Sequence, residues 1–400
     1  MSGGSGAGGV NRSLFYGVGF LSGVTQESHA LDVTSATNPV VVGSSGYNEF
    51  VENGITNHHQ GQPFRWGFLP PKPPPPAAPP GWTPVLPPLQ QLAVPAIDKP
   101  GGQALAISDD GKIIVGYSYY RQTPTGELGF LGSMWQQQSG WSHQGIQPAP
   151  GYIFARAVGY ADSGGRIVGY SKNDGSSTGP RHGTMWNGPG AAGVLLPENI
   201  AGATVTSTWP TAISDKGKTI VGTYRVNPTG LGPDLPCVWR GVPGNIQVSA
   251  LPMLPNASSG LAVDVSRNGN AIVGACLDAS GDFIACTWTR SGPNYLVQAI
   301  PSIPFTGTSI AMAISRDGDV IVGYTSTVVG DDYIPQPWIW SSGKGIRPLI
   351  QALQSEGVTT HAGWSRLQPE ELSDDGRNIV GFGTNPQGAV EGWVARLRHP

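Results

Sequence analysis

The sequence predicts an all-β fold, a seven-bladed β-propeller of four-stranded antiparallel blades closed by the N-terminal strand pairing into the last blade. Three observations lead there. An octapeptide recurs between Gly164 and Gly383 as GGRIVGYS, GKTIVGTY, GNAIVGAC, GDVIVGYT and GRNIVGFG. Its Val-Gly glycine occurs seven times, at Gly43, Gly116, Gly169, Gly222, Gly274, Gly323 and Gly381, and each is followed within 12 to 23 residues by a tryptophan: Trp66, Trp135, Trp186, Trp239, Trp288, Trp340 and Trp393. Finally, the last copy stops at EGWVARLRHP, one strand short, while SLFYGVGFLSGVTQESHA near the N-terminus supplies an unassigned strand. Pairing the two ends removes two exposed edges and locks a ring.

Each unit reads as an apolar strand, a Ser-Asp-x-Gly turn, the Ile-Val-Gly strand, a variable loop, a Trp strand and a short Leu/Pro-rich strand. The first strand and turn stand out in ALAISDDG (104–111), PTAISDKG (210–217), AVDVSRNG (262–269) and AMAISRDG (311–318). Four short strands cannot bury both faces of a sheet alone, and stacking the sheets around an axis does so. The glycines ahead of each variable pair (111, 164, 217, 269, 318 and 376) are expected at positive φ in tight hairpins or G1 bulges. Ile-Val is β-branched filler for a buried strand.

The repeats are 49 to 58 residues apart except between Gly43 and Gly116, which lie 73 apart. The excess coincides with LPPKPPPPAAPPGWTP, a proline-rich insertion within 69–88 that reads as an exposed polyproline II arm. Residues 1–12 read as a flexible Gly/Ser-rich tail and 13–397 as a single propeller. One helix is expected, in IRPLIQALQSEGV (346–358), where Ile346, Leu349, Ile350 and Leu353 follow helical spacing and Gly357 ends the turn.

Composition narrows the function. Net charge is −3 with no run of Lys or Arg, which argues against nucleic acid as a partner. No stretch approaches 18 consecutive apolar residues, so no membrane insertion is expected, and MSGGSGAGGVNRS lacks the pattern of a secretory signal. No cofactor is expected: Gly4, Gly6 and Gly9 satisfy G-x-G-x-x-G formally but have neither a strand before them nor a helix after. The turn acids Asp109, Asp110, Asp215, Asp317, Asp374 and Asp375 offer too few oxygens in series for calcium, and Asp before Gly bonds backbone N–H groups locally; no metal site is expected. Cys276 and Cys286 flank the loop DASGD, in a register that permits a disulfide without requiring one.

The units resemble the probable extracellular repeat, or HAF repeat, proteins, whose phrases run A-x-x-V-S-x-D-G-x-x-V-V-G-Y and then A-F-R-W. Phe64 to Trp66 match the second phrase, and GWSRLQPEELSDDGRNIVGFGTNPQGAVEGWVARL resembles a last repeat. The resemblance covers most of residues 14–397. It implies an extracellular or cell-surface location and a role in recognition. It implies no catalytic residues; such proteins often end in a sorting tag or an autotransporter barrel, and neither is expected from this sequence.

Loops after each Val-Gly are free of packing duties and concentrate Tyr, Arg and His. The candidate face carries Tyr47, Glu49, His58 and His59 from the first copy, Tyr117, Tyr119, Tyr120 and Arg121 from the second, and Lys172, Arg181 and His182 from the third. Tyr224, Arg225, Tyr324, Asp331, Asp332 and Tyr333 follow, and the last interblade link adds His361, Trp364 and Arg366. Flat rings beside hydrogen-bonding groups suit the CH faces and hydroxyls of sugars, and equally a protein loop. The expectation is a noncatalytic propeller binding a glycan or protein. The alternative is a polysaccharide lyase or glycoside hydrolase with His58, His59 or His361 as base.

Overall fold

The Val-Gly glycine marks a point of close backbone approach in every blade. At Gly116, an added Cβ would lie 1.9 Å from the carbonyl oxygen of Gln103, where the inner strand bulges between Ala104 and Ala106. The same bulge recurs in all seven inner strands, for example between Ala157 and Gly159 and between Ala262 and Asp264. Only a residue without a Cβ fits under that carbonyl, so the repeat is written by sterics.

The computed structural model describes residues 13–400 apart from 53–54, 68–87, 95–100, 122–127, 175–178, 189, 227–231, 302–306 and 331. Among these, seven antiparallel sheets of four strands each are formed. Blade two shows the pattern: inner strand Gly102–Ile107, then Ile113–Arg121, Leu128–Gln137 and the outer Trp141–Ile146. The inner strands of the others are Ser28–Val33, Phe154–Ala161, Ser207–Ile213, Ser259–Val265, Thr308–Ile314 and Ser365–Leu372. In blade seven the outer strand is Leu14–Gly17, paired with Val390–Arg396 so that Gly17 faces Trp393. The expected closure is therefore present.

Both residues of the Ile-Val pair are buried in each blade, as at Ile114 and Val115 or Ile272 and Val273, all fully inaccessible. Successive strand residues point to opposite faces, so each pair packs against the two neighbouring blades at once. The turns behave as their sequence implies. Gly111 has φ 71°, the Asp110 carboxylate accepts from the Lys112 N–H at 3.0 Å, and the Ser108 hydroxyl accepts from the Ile113 N–H at 2.9 Å.

Six of the seven expected core tryptophans are fully buried, but in blade six the buried one is Trp338. Trp340 lies two residues further along the strand, across from Ile321, and is only half-buried. Trp338 sits across from Gly323, whose missing Cβ would lie 2.4 Å from the indole. That vacancy holds the ring. The indoles of Trp135, Trp186, Trp239 and Trp288 donate to the carbonyls of Ala93, Gln147, Pro197 and Pro252 at 2.6 to 2.8 Å, tying each blade to the link that enters it. Among the described residues, Trp338 and Trp393 find no such acceptor.

The helix is shorter than its sequence pattern. It spans Leu349–Ser355, while Ile346 belongs to the strand Gly345–Pro348 and pairs with Trp340. Pro348 disfavours helical geometry in the residue before it, which places the boundary. Cys276 and Cys286 are diagonal rather than opposite: Cys276 faces Ile284 and Cys286 faces Gly274, an offset set by the loop 278–282. Their sulfurs lie 3.7 Å apart, and both thiols are free and buried.

Candidate functional site

Each inner strand runs from an interblade link toward its Ser-Asp-x-Gly turn. The links therefore share one face with the loops between second and third strands, and the turns lie on the other. On the loop face, arginines alternate with aromatic rings across blades two to four. The Arg156 guanidinium carbon lies 4.5 Å from the Tyr117 ring, and Arg156 also donates to the Gln103 side-chain oxygen at 3.3 Å. Arg181 stands between Tyr170 at 5.2 Å and Trp209 at 5.1 Å. Arg225 covers Trp209 at 4.9 Å and pairs with Asp234.

This ladder follows from register. Arg156 faces Tyr170, and Trp209 faces Thr223, the residues that follow their blades' Val-Gly. The equivalent inner-strand position holds His29, Gln103, Leu261, Ile310 and Gln368 in the other blades. Guanidinium over an aromatic face is attractive by about 0.5 to 2 kcal/mol per contact. Beside the ladder, His182 contacts the Glu198 carboxylate at 3.2 Å and stands 5.1 Å from the Tyr152 ring. Lys172 pairs with Asp174 at 2.9 Å.

Tyr117, Arg181, His182 and Arg225 are thus in or beside one constellation. Tyr119 packs edge-on against Tyr117 and is nearly buried. Tyr224 faces the core of its blade, Tyr324 is half-buried, and Tyr333 is 68% exposed on the blade-six hairpin. His361 and Trp364 pack edge-on against Phe15 in the closing blade. Arg366, at φ 51°, pairs with Asp332. The side chains of Tyr47, Glu49, His58, His59, Tyr120 and Arg121, and Asp331, lie outside the described residues. Tyr170 is absent from the expected set although it directly follows its Val-Gly, and Arg156 and Trp209 escape any reading confined to residues after the Val-Gly. Their signal was the inner-strand position directly across from those residues.

The channel between the inner strands is lined by acids toward the turn face, around a cavity of about 150 Å³. Asp32 and Asp264, each one residue past its bulge, accept backbone N–H groups from the next blade, Ile107 at 2.6 Å and Ile314 at 2.9 Å. Burial pushes Asp32 up to about 8, Asp264 up to about 7 and Glu371 well above the ordinary range, and neighbouring carboxylates add to the effect. Arg267 bridges Asp109, Asp215 and Asp374 from three other blades and closes the channel there.

No family model and no curated protein matches this sequence. Its fold resembles solved propeller structures. A prolyl endopeptidase superposes with a TM-score of 0.51 at 13% identity, over 92% of this chain and 47% of that one. The likeness is one of fold. TolB from Acinetobacter baumannii gives 0.41 at 12% identity, over 71% and 58% of the two chains, and a PL25 ulvan lyase gives 0.45 at 11% identity, over 87% and 91%. The chain spans about half the length of the endopeptidase.

Proposed function

We propose that the chain is a noncatalytic binding propeller of the extracellular or cell-surface kind, which takes a glycan or a protein segment on its loop face. The observation that carries this reading is the ladder of Tyr117, Arg156, Tyr170, Arg181, Trp209 and Arg225. Aromatic rings with adjacent guanidinium donors offer stacking for apolar faces together with hydrogen bonds for hydroxyl or carboxylate groups. Such residues dominate binding energetics where they anchor a partner. The lyase or hydrolase reading gains no support from His361, whose ring is packed against Phe15.

The test is a glycan and peptide array probed with the wild-type protein, Arg181→Ala and Trp209→Ala, with product release from any bound polysaccharide followed in parallel. Each substitution is expected to weaken binding about tenfold, the effect of losing about 1.4 kcal/mol. Undiminished binding by both folded variants overturns the assignment of the face. Steady accumulation of cleaved product overturns the noncatalytic reading.

A further inference from the structure

On the turn face, the seam between blades four and five opens into a cleft of about 240 Å³. Four cationic residues line it, Lys216, Lys218, Arg240 and Arg290, and no carboxylate does. That is unusual for a chain whose charged residues are only 12% of the total and whose net charge is −3. Several cations elsewhere in the described residues are paired with acids: Lys172 with Asp174, Arg225 with Asp234, Arg366 with Asp332, and Arg267 with three acids. None of the four cleft residues takes part in an ion pair among the described residues.

Local structure fixes the cluster. Lys216 and Lys218 project from the Ser214 turn on either side of Gly217, and both are exposed. Arg240 lies across from Thr219 at the end of the third strand of blade four. It reaches over the seam, donating to the Pro293 carbonyl at 3.3 Å with its guanidinium carbon 5.9 Å from the Tyr295 ring. Arg290 lies in the third strand of blade five, one residue beyond Thr289, the position that matches Arg240; it faces Tyr295 and donates through Nε to the Gly292 carbonyl at 3.1 Å. Each guanidinium thus spends one N–H on a backbone carbonyl that orients it and keeps the rest of its fork for another acceptor.

Four like charges around one cleft repel one another, and a bound anion offsets that repulsion. Planar forks with flanking ammonium groups match the several oxygens of a tetrahedral oxoanion. Size restricts the choice further. The cleft falls below the ~300 Å³ at which pockets begin to enclose drug-sized ligands, so it accommodates an oxoanion with a small substituent. We propose that this seam is a binding site for a sulfate or phosphate monoester. It lies on the face opposite the aromatic ladder and stands or falls independently of the loop-face reading.

The experiment is titration calorimetry of the full chain with glucose, glucose 6-phosphate, glucose 6-sulfate, inorganic phosphate and inorganic sulfate, at low and at physiological ionic strength. Both esters are expected to bind with dissociation constants of about 1 mM or tighter at low salt. They should weaken as salt is added, and glucose should not bind. The double variant Lys216→Gln/Lys218→Gln and the single variant Arg290→Gln should each weaken ester binding at least about tenfold with unchanged melting, because these side chains are exposed. Binding of the inorganic ions without the esters overturns the proposal. So does glucose binding as well as its esters, ester binding unchanged in the variants, or no anion binding on the order of 10 mM at low salt.

Discussion

Phe15 stacks on Trp393 with ring centroids 5.5 Å apart and planes inclined by 21°, although 378 positions separate them in the sequence. The pair sits in the closing blade, where Phe15 is fully inaccessible and lies across from Ala395. Phe15→Ala should cost about 3 to 5 kcal/mol, the range for a buried phenylalanine. Deleting residues 1–22 should lower the melting temperature further by removing the strand itself. Unchanged denaturant midpoints for both would show that the ring does not depend on this closure.

The two tryptophans of blade six should separate cleanly. Trp338→Ala removes a fully buried indole over Gly323 and is expected to cost about 3 to 5 kcal/mol. Trp340→Ala acts on a half-buried ring and should cost less than half as much. Chemical denaturation of the two variants checks the order; equal losses would contradict the two-residue assignment.

Arg267 neutralises three carboxylates that converge on it from separate blades. Its side chain is 15% exposed and that of Asp215 10%. Arg267→Met should therefore destabilise the ring by about 3 kcal/mol, the lower end for stripping the partner from a buried charge. The loss should shrink in acid, where Asp374, held near 6 chiefly by burial, takes up a proton. Denaturation at pH 5 and pH 8 measures both effects.

Stability should fall as pH rises from 5 to 8. Burial lifts Asp162 and Asp374 to about 6, Asp264 and Glu370 to about 7, and Asp32 to about 8. Unfolded carboxylates titrate near 4, so the folded state holds these protons more tightly. Their stabilising contribution is complete below about pH 4 and is lost as pH passes through the folded values. Hydrogen-bonded acids shifted the other way, Asp110, Asp317 and Glu356, lose their contribution only in stronger acid and do not mask the trend. Glu371→Gln should flatten the profile of melting temperature against pH. A profile that rises toward pH 8 contradicts the buried-acid account.

The blades, their phase and their closure were legible because one steric requirement, a glycine beneath a bulged carbonyl, repeats at every Val-Gly. The tryptophan of blade six was not, because loop lengths between second and third strands vary and an offset in sequence cannot tell Trp338 from Trp340. Both point to the same side of the strand, and the choice between them rests on packing over Gly323. The arginine ladder was half legible. Tyr117, Arg181 and Arg225 stood in the variable stretches, whereas Arg156 and Trp209 lay in inner strands that read as framework. The Arg267 bridge joins turns from four blades, and no local pattern reports which of seven similar turns meet across an axis.

The bulge leaves one register position per blade free to vary, and around the ring it holds His29, Gln103, Arg156, Trp209, Leu261, Ile310 and Gln368, five kinds of side chain in seven places. A sevenfold scaffold with identical residues there would offer seven interchangeable footholds and many degenerate poses. Here rotation by one blade exchanges the guanidinium of Arg156 for an amide or an indole, so a guest seated at this rim would meet the same set of partners in one azimuth alone.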